Sequence, residues 1–428
     1  MNERGEQMGM SGAENSMEEI LRGEVPGDEG MLSSLTCAVT PLLDFISRQY
    51  LERYIREGGS KIKFLTGCQG SGKTHFSRLL LSKAKEQNYV TVSFSGKNIW
   101  LHDFREVYLE ILRQCDLERI LKECARQIIR SMGYDPDQIR EGNTFMDFLS
   151  ERGEADAISK GEIRSQLRSF FTRNPLLDNS FASCCSLLTG DMLGHPLLEP
   201  GSREILLAFL YGDKSVKLSQ LRAFGFSPSR ITKFNARHLL RSLSEVIHLA
   251  GFPGLLVVVD DLEILLKKSS SEMIHYGKVR RDDTYESIRQ LIDDIDSMRH
   301  IMFLFCFDRA LRDDENYGMK SYQALWMRVQ SEVVSVRFNS FADMLDLDRY
   351  SDEVYTAEAV CEMSRRLADV LNGNGQGIQR HAYDSFGMDT ARDILKRAEY
   401  GGLGIPYLVN RKVVEGGSGS SEGGGQYV

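Results

Sequence analysis

Residues 61–75 read Lys-Ile-Lys-Phe-Leu-Thr-Gly-Cys-Gln-Gly-Ser-Gly-Lys-Thr-His. Ile62 to Thr66 is an apolar run with strand character. Thr74 to Gln87 places Phe76, Leu79, Leu80 and Leu81 at spacings that suit a helix. Between the two, Gly67, Gly72, Lys73 and Thr74 fit the phosphate-binding pattern G-x-x-x-x-G-K-[ST]. The glycines let the backbone curl so that several N–H groups converge on one anion, and the following helix adds its positive end. Gly67, Gln69, Gly70, Ser71, Gly72, Lys73, Thr74 and His75 are therefore the candidate nucleotide-binding residues. Lys73 is expected to reach the β- and γ-phosphates, and the Thr74 hydroxyl to bind Mg²⁺.

The partner of this loop lies far downstream, in Gly251-Phe-Pro-Gly-Leu-Leu-Val-Val-Val-Asp-Asp-Leu-Glu. Leu255 to Val259 form an uninterrupted apolar run, as expected of a parallel strand buried on both faces. It ends in Asp260 and Asp261, with Glu263 two residues on. A carboxylate at the carboxyl end of such a strand holds the hydrated Mg²⁺, and a second one orients the attacking water. Asp260 is the candidate for the metal. Asp261 and Glu263 both remain candidates for the water. Many ATPases carrying this loop have Glu directly after the Asp, and Asp261 reaches one methylene less far.

Working outward, further strands are expected at 62–66, 89–95, 301–307 and 333–338, beside the one at 255–259, with helices between them. That pattern predicts an α/β fold, a three-layer P-loop domain around a parallel sheet, with ligand at the carboxyl ends of the strands. A helix is expected over 40–57, leading into the P-loop strand. Helices are expected over 103–131 and 283–298, and a short one over 321–330. Some 190 residues separate Lys73 from Asp260, far more than one crossover requires. The reading therefore places a large helical insertion at 116–250. It divides the rest into a disordered tail over 1–31, core halves over 32–115 and 251–345, a C-terminal helical lid over 346–414 and a flexible tail from 415. Asp308 and Cys306, at the end of the 301–307 strand, stand where a polar residue often senses the γ-phosphate, although neither is a usual choice. Arg328 precedes the last expected strand, where oligomeric ATPases place an arginine that acts on a neighbour's nucleotide. Arg411, in the lid, is a candidate for the γ-phosphate.

Composition narrows the function. The net charge of −8 argues against a protein whose whole surface coats nucleic acid, although Arg222, Arg230, Lys233, Arg237 and Arg241 leave room for a local basic stripe. The eight cysteines include no C-x-x-C and read as reduced thiols in a cytoplasmic protein. No apolar run approaches the roughly 18 residues of a membrane span.

The arrangement resembles AAA+ ATPases of the Orc/Cdc6-like branch. More narrowly, it is similar to the ATP-binding proteins of BREX phage-defence systems, the BrxD-like group. The resemblance rests on the two motifs above, the long helical spacer and Lys233-Phe-Asn-Ala-Arg-His-Leu-Leu-Arg-Ser-Leu. Two further stretches carry it: Tyr285-Glu-Ser-Ile-Arg-Gln-Leu-Ile-Asp and Gly318-Met-Lys-Ser-Tyr-Gln-Ala-Leu-Trp-Met-Arg. It implies ATP and Mg²⁺ as cofactors, bacterial defence, action on or near duplex DNA, and partners such as a helicase or a modification enzyme. With Arg328 acting on a neighbour, it also implies a homo-oligomer. The family usually has Glu where this chain has Asp261, which implies slow hydrolysis. Three functions follow: an ATP-driven switch of a defence complex on DNA, a nucleotide-gated scaffold that barely hydrolyses, and a recruiting module that does not touch DNA.

Overall fold

The computed structural model describes residues 12–266, 274–333, 338–373 and 382–418. The chain opens with α1 (Gly12–Leu21), α2 (Glu29–Ser34) and α3 (Thr40–Ile46), the last continued by a π-helical segment, Ser47–Ile55. Next come β1 (Ser60–Gly67), α4 (Lys73–Glu86) and β2 (Val90–Ser95). Helices α5 (Phe104–Gln114) and α6 (Leu117–Ser131) are parted at Asp116, which has a left-handed φ of 49° and caps α6 through Arg119 N. The spacer then supplies α7 (Phe145–Glu151), α8 (Ala157–Leu167), α9 (Asn179–Leu193), α10 (Ser202–Leu210), α11 (Leu218–Arg222) and α12 (Ala236–Leu249). After β3 (Leu255–Asp260) follow α13 (Lys278–Asp294), β4 (Ile301–Asp308), α14 (Arg309–Asp313), α15 (Gln323–Val333) and β5 (Met344–Asp346). The C-terminal helices are α16 (Leu347–Val354), α17 (Ala357–Gly373), α18 (Met388–Gly401) and α19 (Ile405–Ser418).

The strands form one sheet in the order β2-β3-β4-β1-β5, and every pairing is parallel. Alternation along each strand divides the apolar side chains between two faces. Ile62, Phe64, Val257, Val259, Phe303 and Phe305 point to one cluster, which continues into α5, α6, α12 and α13. Leu65, Leu256, Val258, Met302 and Leu304 point to the other, beneath α3, the π-helical segment and α4. Helices therefore cover both faces, as a parallel sheet requires. The spacer helices share the first of these clusters, so they extend the core of the sheet.

Three expectations are corrected. The segment read as a disordered tail over 1–31 contains α1 and α2, in which Met17, Ile20 and Met31 are buried against Leu367, Ala368, Leu371 and Val413. A helix as short as α1 is marginal alone. Its partners lie some 350 residues downstream, beyond any local window. The strand expected at 333–338 is not found at its start, because α15 runs to Val333; residues 334–337 lie outside the described residues. The fifth strand is Met344–Asp346. It is held there from β1: Lys61 pairs with Asp343 at 2.5 Å, and the buried Lys63 ammonium donates to Ala342 O at 2.6 Å. Finally, α19 extends past the expected start of the flexible tail, to Ser418.

Candidate functional site

Parallel pairing brings the two motifs to the same edge of the sheet. β4 lies between β1 and β3, with Gly67 opposite Asp308. Ser95, the last residue of β2, lies opposite Asp260. The loop from Gly67 to Gly72 turns with φ values of +78° at Gly70 and +94° at Gly72, a region that favours glycine. Thr74 at the start of α4 donates its hydroxyl to Asp260 Oδ2 at 3.0 Å. A hydroxyl and a carboxylate separated by 186 residues thus meet. Both are hard oxygen donors of the kind Mg²⁺ takes one or two of beside water and phosphate. Burial raises the Asp260 carboxyl above its usual range. Lys73 Nζ donates to Gly67 O at 3.0 Å and Cys68 O at 2.8 Å, so the ammonium rests on its own loop.

A cavity of about 830 Å³ opens from this loop, within the size range of small-molecule sites. Gly70, Ser71, Gly72, Lys73, Thr74, His75, Asp260 and Asp261 line its polar end. The Ser71 hydroxyl there is buried with no hydrogen-bond partner among the described residues, which suits a site that takes a polar ligand. Val39, Tyr350, Leu367 and Val409 add apolar lining. His75 Nε2 lies 2.9 Å from Thr36 Oγ1, and burial, followed by the nearby Arg78 charge, lowers its pKa to about 4. It is therefore a neutral wall residue at neutral pH. Among the described residues no group of three or more His, Cys, Asp or Glu is placed to hold a metal.

The two candidates for the water have different surroundings. Asp261 has a left-handed φ of 60°. Its carboxylate accepts from Ser95 Oγ at 2.6 Å and pairs with Lys97 Nζ at 2.6 Å. Glu263 sits on the turn after β3, and its Oε2 accepts from Asp308 N at 3.2 Å. Burial raises its carboxyl, and the Asp261 charge adds to this while Lys73 opposes it. A raised carboxyl is the better proton acceptor near neutral pH.

The remaining candidates lie elsewhere. Arg328 on α15 donates to Asp293 on α13, at 3.1 and 3.2 Å, and does not line the cavity. Arg411 is exposed and pairs with Glu415 one turn on, at 2.6 Å, while Tyr407 and Asn410 of the same helix do line the cavity. Asp308 caps α14 by accepting from Ala310 N, and the Cys306 thiol is buried in the sheet and pushed well up by that burial.

Several contributors escape the sequence patterns. Asp348 on α16 accepts from Cys68 N through both carboxylate oxygens, at 3.0 and 2.9 Å, and pairs with Arg309 at 3.1 Å. Burial and then the Asp348 charge push the Cys68 thiol up to about 12. Ser95 was within reach of a rule, since it ends a parallel strand at the edge where ligands bind. The start of α19 lies on the loop itself: Gly404 N donates to Gln69 O at 2.9 Å and Tyr407 N to Gly70 O at 3.3 Å. A Cβ at Gly404 would lie 2.3 Å from Gly70 C and Ser71 N. Gly404→Ala is therefore expected to push α19 off the loop. Overpacking against backbone costs about 1–3 kcal/mol, so thermal melts should show lower stability and a smaller upward shift on adding ATP.

A family model described as BREX system ATP-binding protein BrxC/D matches residues 18–398. Comparison with curated proteins and with solved structures finds no match. The matched span takes in the P-loop, the acidic strand end and the spacer between them, and on that basis the chain belongs to the BREX system ATP-binding protein family.

Proposed function

We propose that the chain is an ATP-driven switch of a BREX phage-defence complex that hydrolyses ATP with Mg²⁺. The observation that carries this reading is the meeting of Thr74 Oγ1 and Asp260 Oδ2 at 3.0 Å beside Lys73, at the polar end of a cavity of about 830 Å³. In this account the loop amides and Lys73 would hold the phosphates. Thr74 and Asp260 would hold Mg²⁺, which would neutralise charge on the transferring phosphate. Glu263 positions the water. Asp261, fastened to Ser95 and Lys97, shapes the strand end. Family membership supports partner proteins in a complex. Duplex DNA and a helicase or modification enzyme are the proposed company of that complex.

Steady-state ATP hydrolysis with Mg²⁺, with and without duplex DNA, tests the reading. Turnover that rises with DNA supports a DNA-linked switch. Such stimulation should weaken steeply with salt, because phosphate contacts release counterions. ATP binding without turnover favours a second reading, a nucleotide-gated scaffold, for which the pairing of Asp261 with Lys97 and Ser95 speaks.

We further propose a homo-oligomer in which Arg328 acts on a neighbour's nucleotide. Arg328→Ala should then lower turnover by on the order of a thousandfold while leaving ATP affinity unchanged. If Arg328 serves only its half-exposed pair with Asp293, the variant should lose no more than about 1 kcal/mol of stability and keep its turnover.

A further inference from the structure

The N-terminal segment forms part of the cavity wall. Ile20, Gly23, Glu24, Val25 and Pro26 all line it. The segment is a folded unit of its own: Asp28 N donates to Ser16 Oγ at 2.9 Å and Gly27 N to Glu19 Oε2 at 2.7 Å, closing the turn back onto α1. It is tied to both sides of the cavity. Arg78 of α4, one turn beyond Thr74, donates through Nη1 to Val25 O at 2.6 Å. Asn410 of α19 donates to Ile20 O at 3.0 Å. Gly23, with a φ of +78°, passes Tyr407 so closely that a Cβ would lie 3.3 Å from its ring. Beneath, Met17 and Ile20 are buried on α17 and α19.

We propose that residues 12–27 are a strap that completes the nucleotide site and must detach for nucleotide to enter or leave. This rests on the reading of the cavity as a nucleotide site. The strap spans from the helix that follows the P-loop to the C-terminal helices, so it lies across the cavity between them. Arg78 and Asn410 each donate a hydrogen bond to it, Met17 and Ile20 bury apolar surface, and its helix is too short to persist alone. Such an element opens locally far more readily than the sheet unfolds. A ligand that touches the P-loop and the strap together binds the closed form better than the open one, and so shifts the population towards closure. Val25 and Pro26 would cover the part of the ligand that extends beyond Arg78, and nucleotide occupancy would thereby fix α19 against α4.

Two measurements test the strap. In the full chain, amide hydrogen exchange is followed over residues 16–27 and over the P-loop, with and without ATP and Mg²⁺. Exchange should slow at both places. In parallel, release of a fluorescent ATP analogue is timed for the full chain and for a variant lacking residues 1–27, checked for folding by circular dichroism. The truncated protein should release the analogue faster by on the order of tenfold, equivalent to losing about 1.4 kcal/mol of binding. Protection of the P-loop with unchanged exchange over 16–27 would overturn the strap and leave the nucleotide site standing, as would a folded truncation with the release rate of the full chain. No analogue binding to the full chain, with exchange unchanged at both places, would overturn the nucleotide site and the strap with it. The exchange measurement decides the matter even if the truncation fails to fold.

Discussion

Lys73→Ala should leave the fold intact and remove tight ATP binding, with turnover falling by on the order of a thousandfold or more. The reason is the charge inventory of the cavity. Among the described residues that line it, the cationic side chains are Lys73 and Arg78. Arg78 is engaged with the Val25 carbonyl, and His75 is held neutral by a pKa of about 4. Among the described residues Lys73 bonds to the carbonyls of Gly67 and Cys68, acceptors it can exchange for phosphate oxygens without leaving the loop. The backbone amides that remain after its removal can still attract an anion, so weak residual binding is expected. Circular dichroism and a thermal melt of the variant without nucleotide should match the parent, because the Lys73 ammonium bonds to carbonyls of its own loop. Binding and turnover are read by titration and by phosphate release.

The second large effect separates Glu263 from Asp261. Glu263→Gln is expected to cut turnover by on the order of a hundredfold or more while ATP affinity stays within a few-fold of the parent. The Glu263 carboxyl is half-buried and raised by desolvation against the opposing Lys73 charge, and the backbone N–H of Asp308 fixes one of its oxygens. Because its folded value lies above that of an ordinary glutamate, in the proposed role it would be protonated and inactive at low pH and would gain activity as pH rises through that raised value. The acid limb of the pH–rate profile should therefore sit above the ordinary carboxylate range in the parent and vanish in Glu263→Gln. Asp261→Asn serves as the comparison. Its carboxylate is already committed to Ser95 and Lys97, so its loss should lower turnover by less than about tenfold. The opposite ranking, with Asp261→Asn crippling and Glu263→Gln mild, would assign the water to Asp261.

How far the sequence reveals this arrangement depends on how local each signal is. Gly67, Gly72, Lys73 and Thr74 are legible because the chemistry of phosphate binding fixes their spacing within eight residues, Gly67 to Thr74. Asp260 is legible because five apolar residues, Leu255 to Val259, announce a buried strand and an acid at its ligand-binding end. Val333 and the apolar residues after it suggest a strand although α15 runs to Val333, whereas Met344–Asp346, the strand paired beside β1, is too short to show alternation. What positions that strand is Lys61 and Lys63, from the far side of the sequence. The N-terminal segment reads as disordered for the same reason. Its acidic, glycine-containing sequence is folded by Leu367, Leu371 and Val413, which no window around residue 20 contains. Asp348, on the amide of Cys68, and Gly404, on the carbonyl of Gln69, are likewise long-range partners of the loop. The loop's own pattern is silent about both.

Equilibrium titration of a fluorescent ATP analogue into the purified chain, with and without Mg²⁺, tests the central claim most directly. The account predicts saturable binding of one nucleotide per chain, tighter with Mg²⁺, displaced by ATP and lost in Lys73→Ala. Binding that is absent, or that survives Lys73→Ala unchanged, would contradict it.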